Sequence, residues 1–311
     1  RRRRPERLVR PASSPQGGSM SMLLQCLVDS ILLGGLYSLM AVGLSLGFGV
    51  TRIINFAYGE FIMLGAYGAF FCSSLAGIDP LIALPAVAIG VALFAAIVFE
   101  FSLRRVLRAP AINQILLLFG VGLVIQNLAA ILWTGDARSV ETPYSLTARE
   151  FGDINVPDGR IVTFLVATVL IAALLWWLHR TELGRAIRAV AQNRDAAVLM
   201  GINVMRMYLL SFMLNAALGA ATGAMASFLL TVTPFMGFPM LIKSFAIVVL
   251  GGLGSIPGTL AGAFLLAFAE TAVAYYVPDG IGWAEGVAFA VLLGVLIFRP
   301  RGILGQAVEV A

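Results

Sequence analysis

An all-α bundle of membrane-spanning helices is the fold this sequence predicts, and three observations predict it. The 311 residues are 60% hydrophobic and only 12% charged, where a soluble domain carries about 25% charged residues. Apolar runs of span length recur along the chain. The acids and bases fall at the ends of those runs and are not mixed through them. A lone chain in lipid must satisfy its backbone hydrogen bonds internally, so each run reads as mainly helix. The expectation is one transmembrane domain over residues 22–304 without a soluble domain, between a basic tail at 1–21 and a short tail at 305–311.

Nine apolar segments follow in order, at about 22–50, 54–77, 81–99, 111–134, 161–178, 207–231, 240–252, 258–277 and 283–298. The first is over-long and rich in glycine (Gly34, Gly35, Gly43, Gly47, Gly49), which predicts a steeply tilted helix, a broken one, or two short pieces. The second opens on Arg52-Ile53-Ile54-Asn55-Phe56-Ala57-Tyr58-Gly59-Glu60, an unusual concentration of polar groups for a span. Asn55 is placed to cap the helix. Gly59 lets a second backbone approach. Glu60 is costly against lipid and should face a cavity or a partner. The stretch reads either as a broken helix lining a solute path, or as a structural cap near the interface with Glu60 in water.

The third and fourth segments are joined through Arg104, Arg105 and Arg108, and the fifth runs into Trp176, Trp177 and His179. Residues 180–206 then form a charged, helix-prone interlude. At 100° per residue, Leu183, Ile187, Val190 and Val198 share one face, and Arg185, Arg188, Gln192 and Asp195 share the other, with Arg194 breaking the apolar side. An amphipathic helix between two spans is a surface on which something outside the bilayer can push. Further on, Gly251, Gly252, Gly254, Pro257, Gly258 and Gly262 interrupt an apolar stretch, which in a membrane marks unwound backbone or a tight helical hairpin.

Arginine sets the orientation. Loops 100–110 and 179–206 and the C-terminal Arg299 and Arg301 are cytoplasmic, whereas loop 135–160 carries Asp136, Glu141, Glu150, Asp153 and Asp158 against three arginines and lies outside. Trp133 and Trp283 then sit at the outer interface, Trp176 and Trp177 at the inner one. Loop 135–160 is long for a helix connection and reads equally as a docking surface for a soluble partner and as a solvated cap. Nine crossings counted back from the C-terminus put the N-terminus outside, against the Arg1–Arg4 run. Either the tail is not native, with Met20 or Met22 the true start, or an early segment is re-entrant; the first account is preferred. The tail itself reads as disordered.

Several function classes drop out. The formal charge of +5 follows from topology and does not suggest nucleic acid. Cys26 and Cys72 lie inside apolar segments and read as buried thiols. With a single histidine, His179, no metal site of sensible spacing can be written. The glycine cluster has no lysine after it, and the only lysine, Lys243, has no glycine pattern before it, so there is no Walker A motif. Neither a Gly-x-Ser-x-Gly elbow nor a His-Glu-x-x-His pair occurs, which disfavours an enzyme. Asp29, Glu100, Lys243, Glu270 and Glu285 are the remaining ionisable groups in or near spans. Glu100 and Glu285 sit close to solvated ends, while Lys243 can pair with Glu270 or with Asp29.

Gly35-Leu36-Tyr37-Ser38-Leu39 through Gly43-Leu44, with the Arg52–Glu60 stretch, resembles the permeases of branched-chain amino acid ABC importers, the LivH type. Leu183-Gly184-Arg185-Ala186-Ile187-Arg188-Ala189-Val190-Ala191-Gln192, with Ala196, Ala197, Gly201 and Ile202, is similar to that family's ATPase-coupling loop, and the Gly251–Gly262 cluster matches a third signature. The resemblance covers about residues 22–304. It departs at Tyr58, where the family commonly has His; tyrosine keeps a ring and a hydrogen-bonding tip but does not titrate near neutral pH.

The resemblance implies a multi-pass permease of the bacterial inner membrane, paired with a second homologous permease subunit. It further implies a periplasmic or lipid-anchored solute-binding protein outside and two cytoplasmic ABC ATPase subunits that hold ATP and Mg, with no cofactor bound by this chain. Glu182, Gly184, Arg185, Arg188, Asp195 and Gly201 are the expected coupling residues, and Asn55, Phe56, Tyr58, Gly59 and Glu60 the expected path. Gly251, Gly252, Gly254, Pro257 and Gly258 are the expected helix break. Urea or short amides are the alternative solutes. An ATPase-independent transporter or channel would need midplane carboxylates, of which Glu270 is the only attractive one, and an intramembrane enzyme lacks a catalytic set.

Overall fold

The computed structural model of the protein describes residues 19–107, 109–299 and 302–304. The greater part of the basic tail, Arg108, Arg301, the C-terminal residues 305–311 and the side chain of Glu285 lie outside the described residues. The described residues form twelve α-helices: α1 (Ser19–Thr51), α2 (Tyr58–Ala76), α3 (Pro80–Val98), α4 (Arg104–Val106), α5 (Ala111–Trp133), α6 (Asp158–Arg180), α7 (Glu182–Gln192), α8 (Arg194–Leu199), α9 (Val204–Ala226), α10 (Gly237–Gly251), α11 (Ile256–Tyr276) and α12 (Gly280–Phe298). A π-helical turn at Phe99–Leu103 joins α3 to α4, so that Pro80–Val106 is one apolar rod. Among the described residues seven helices are long and apolar enough to cross a membrane, and α10 and the end of α12 add shorter apolar ones.

The first segment is neither broken nor two pieces. α1 is one helix of 33 residues, about 50 Å long, well beyond a hydrocarbon core of about 30 Å. Its glycines do not break it because neighbouring side chains occupy the space they leave. A methyl on Gly34 would lie 2.4 Å from the Phe264 ring, and one on Gly35 2.7 Å from Phe164. α1 is the central post, packed on α11, α9, α6 and α10.

α2 crosses α9 closely. Gly219-Ala220-Ala221-Thr222-Gly223 on α9 is a small-xxx-small stretch that lets the two backbones meet. A methyl on Gly223 would fall 1.9 Å from the Ile62 carbonyl, and one on Gly65 2.2 Å from that of Ala220. Lipid supplies no hydrophobic drive between helices, so this close van der Waals approach holds the pair together.

Turn chemistry punctuates the rods. Gly77 closes α2 in a left-handed conformation (φ 63°). Asp79 then accepts from Leu81 N at 2.8 Å to cap α3, with Pro80 at its start. On the cytoplasmic side Thr181, Asn193, Asn203 and Ser255 cap α7, α8, α9 and α11 through side-chain oxygens.

Loop 135–160 has structure of its own. Ala148–Phe151 (β1) and Ile154–Pro157 (β2) pair as an antiparallel hairpin, a small β element that the all-α reading had not included. Tyr144 donates to Asp79 Oδ1 at 2.9 Å; burial, and then this bond, push the phenol's pKa up.

One predicted segment ends early. The sixth apolar run was expected to reach residue 231, but α9 stops at Ala226. Residues 227–236 turn back, with Val232 bridged to Arg138 of the outer loop. Ser227 and Thr233 with Pro234 favour turns over a continued helix.

Candidate functional site

Arg52 ends α1 with φ 59°, a left-handed value rare outside glycine. Its N–H closes the turn on Phe48 O, and its guanidinium donates to the carbonyl of Ala191 near the end of α7 at 3.2 Å. The cytoplasmic helix is thereby tied to the polar break between α1 and α2.

Asn55 does not cap α2. Ala57 stands at the N-cap and makes no side-chain bond. Asn55 Oδ1 instead accepts from Ala57 N at 3.1 Å, because the backbone turns from Asn55 into Tyr58 before the helix begins. Its amide donates to Asn215 Oδ1 at 2.9 Å, and Asn215 donates onward to Gly43 O at 2.8 Å. This buried chain joins the α1–α2 break, α9 and α1. Sequence reasoning missed Asn215; a lone Asn in an otherwise apolar span was the available signal. A small cleft lies beside the pair, walled by Gly47, Thr51, Ile53, Leu118 and Phe212.

Tyr58 is fully buried, and its hydroxyl donates to Met40 O at 2.7 Å. Gly43 and Gly219 make room for it: a methyl on Gly43 would sit 2.5 Å from the hydroxyl. Phe56 is half-buried. Gly59 meets the backbone of Gly237, the first residue of α10. Glu60 is not in water. It is 5% exposed, between Gly237 and Gly122, and its Oε2 is buried with no hydrogen-bond partner among the described residues.

α10 is therefore a half-helix. Its 15 residues span about 22 Å, and it begins inside the bundle beside α2, not at the outer surface. At its far end Gly252 (φ 106°) and Gly254 (φ 79°) turn the chain into α11, whose first turn holds Pro257. Gly251 and Gly258 pack backbone to backbone. Ile303 and Leu304 donate to the carbonyls of Leu250 and Gly251, satisfying two groups that the helix end leaves free.

The 180–206 interlude is not one amphipathic helix. Asn193 breaks it into α7 and α8, adopting an extended backbone and capping α8 by accepting from Ala196 N. The shared face of Leu183, Ile187, Val190 and Val198 fails with it: Ile187 and Val190 are buried, whereas Leu183 and Val198 are exposed. Gly184 presses α7 onto α6, where a methyl would meet Leu178 at 2.5 Å. Arg185 and Asp195 are exposed and Arg188 is half-buried. Glu182 stands in the first turn of α7, where the helix dipole favours an acid. Arg194 lies over the Tyr208 ring at 5.8 Å, and Gly201 turns toward α9 at φ 78°.

Asp29, Lys243, Glu270 and Glu100 each pair, and the side chain of Glu285 lies outside the described residues. Asp29 accepts from Arg160 at 2.8 Å and from Tyr275 at 2.5 Å, binding α1, α6 and α11 at their outer ends. Lys243 pairs with Glu270 and not with Asp29, at 3.2 Å, and Tyr37 donates to Glu270 at 2.5 Å. Glu100 pairs with Arg104 on the surface.

Long apolar helices around a central post, a half-helix that begins inside the bundle and a cytoplasmic helix pair bonded to it define a polytopic transport permease. The family model described as branched-chain amino acid transport system / permease component matches residues 26–296, and the chain belongs to that family. It is 34% identical to the high-affinity branched-chain amino acid transport system permease protein BraD of Pseudomonas aeruginosa, over 91% of this chain and 96% of that one. It is 31% identical to the corresponding LivH of Escherichia coli K12, again over 91% and 96%. The autoinducer 2 import system permease LsrC of Enterobacter sp. is 34% identical over 79% of this chain and 78% of its own. The protein is a multi-pass component of the inner membrane.

Proposed function

We propose that this chain is one permease half of an ATP-driven importer of branched-chain amino acids. Near end-to-end similarity to BraD and LivH favours that solute class over the one named for LsrC, which the chain matches over a shorter span. The working complex holds a second homologous permease, a solute-binding protein outside, and two cytoplasmic ATPase subunits that carry the ATP and Mg. The permease domain is residues 22–304. Asn55, Phe56, Tyr58, Gly59 and Glu60 shape the path, and the Gly251–Gly258 turn lets α10 shift as a unit.

One observation carries the coupling half of the proposal: Arg52 bonds the end of α7 to the polar break. ATPase subunits grip α7 and α8 through Glu182, Gly184, Arg185, Arg188, Asp195 and Gly201. Their closure displaces α7, and the displacement reaches the Asn55–Asn215–Gly43 chain through Arg52. A rigid lever acting on a two-state bundle is what alternating access requires.

The test is Arg185→Glu with Arg188→Glu in the reconstituted importer. Insertion should survive, while leucine uptake and solute-stimulated ATP hydrolysis should both be lost. Normal uptake in the double variant would sink the coupling assignment.

A further inference from the structure

Lys243 is the only lysine in the chain, and it sits on the half-helix α10. Its ammonium donates to Tyr37 Oη at 2.9 Å and to Glu270 Oε2 at 3.3 Å. An ammonium has three donors, so one is left over. Glu270 Oε1 lies 3.2 Å from the same nitrogen, yet off the line of a hydrogen bond, and is a buried acceptor with no hydrogen-bond partner among the described residues. The cluster thus leaves one donor on a cation and one acceptor on an anion, side by side.

Depth makes this consequential. Glu270 is six residues from the outer end of α11 at Tyr276, about 9 Å inward. The Lys243 side chain is nonetheless 24% exposed on the isolated chain. A charged side chain partly open to hydrocarbon is costly, so the open side of Lys243 is expected to face water or another subunit and not lipid.

We propose that Lys243 and Glu270 form a recognition point for the zwitterionic head of the transported solute, Lys243 taking the carboxylate and Glu270 Oε1 the ammonium. Tyr37, donating to Glu270 and accepting from Lys243, holds the pair in place. The proposal rests on amino-acid import as the function, and it places a solute contact on the α1–α10–α11 side, away from the Asn55–Glu60 stretch.

A purely structural ion pair behaves differently. Replacing both members of a buried pair with apolar residues is often neutral for stability, whereas removing one member is not. The experiment compares wild type, Lys243→Met, Lys243→Arg and Lys243→Met/Glu270→Leu as complete importers in proteoliposomes, reading assembly, thermal midpoint and leucine uptake. The double variant should assemble with a midpoint near wild type but lose uptake by about tenfold or more, as expected when hydrogen bonds to charged groups are removed. Lys243→Arg, which keeps charge and donors, should retain the larger part of uptake. Near-normal uptake in the double variant, or its failure to assemble, would overturn the proposal by making the pair structural. A wild-type importer that moves no branched-chain amino acid would instead remove the function on which the proposal stands.

Discussion

At the residue scale, Arg52 combines a strained backbone with a long-range bond. The left-handed conformation costs a non-glycine residue about 1–2 kcal/mol. Arg52→Gly should therefore leave the thermal midpoint unchanged or slightly higher, since glycine relieves the turn while the bond to Ala191 is lost. The same variant should hydrolyse ATP with less uptake per ATP; an unchanged ratio would show that the bond transmits nothing. Asn215 is the opposite case. Asn215→Ala strands the Asn55 amide, and leaving a buried group unpaired costs about 1–3 kcal/mol. Melting of the detergent-solubilised protein should fall accordingly. Asn55 was legible from its motif, but its partner 160 residues away was not, because nothing local in a sequence encodes a hydrogen bond across a bundle.

At the element scale, the α2–α9 crossing depends on missing side chains. Gly223→Ala places a methyl 1.9 Å from the Ile62 carbonyl and should destabilise by about 1–3 kcal/mol or more. Gly120→Ala in α5, with open space around it, should be neutral or slightly stabilising by helix propensity. Thermal melts of the two variants side by side check the contrast. The helices themselves were readable from hydropathy, because lipid forces an apolar run to close its own hydrogen bonds. The break at Asn193 was not read, since amphipathic spacing continues across it and only the capping geometry ends α7. The early stop of α9 escaped for a related reason: residues 227–231 are apolar enough to extend a span, and the bridge to Arg138 is tertiary.

At the scale of the whole molecule, the arginine pattern predicts that α1 starts outside and the C-terminal end lies inside. Gln25 donates to Asn155 of the outer hairpin, while Arg52 at the other end of α1 meets α7. Residues 227–236 lead from α9 to the start of α10, which meets the first turn of α2 inside the bundle. In a Cys26→Ser/Cys72→Ser background, Asp153→Cys should react with a membrane-impermeant maleimide in intact cells. Arg194→Cys should react only after permeabilisation, and the reverse pattern would invert the topology.

By itself the sequence determined that this is a helical membrane protein and which family its three motifs mark. Those properties follow from composition, arginine placement and local spacing, all of which are summed along the chain. Only the tertiary structure decided that Lys243 takes Glu270 over Asp29, that Glu60 is sealed beside the start of α10, and that Arg52 reaches α7. Each is a choice among partners distant in sequence, and it is made by which faces the glycine-lined crossings bring within a few ångströms.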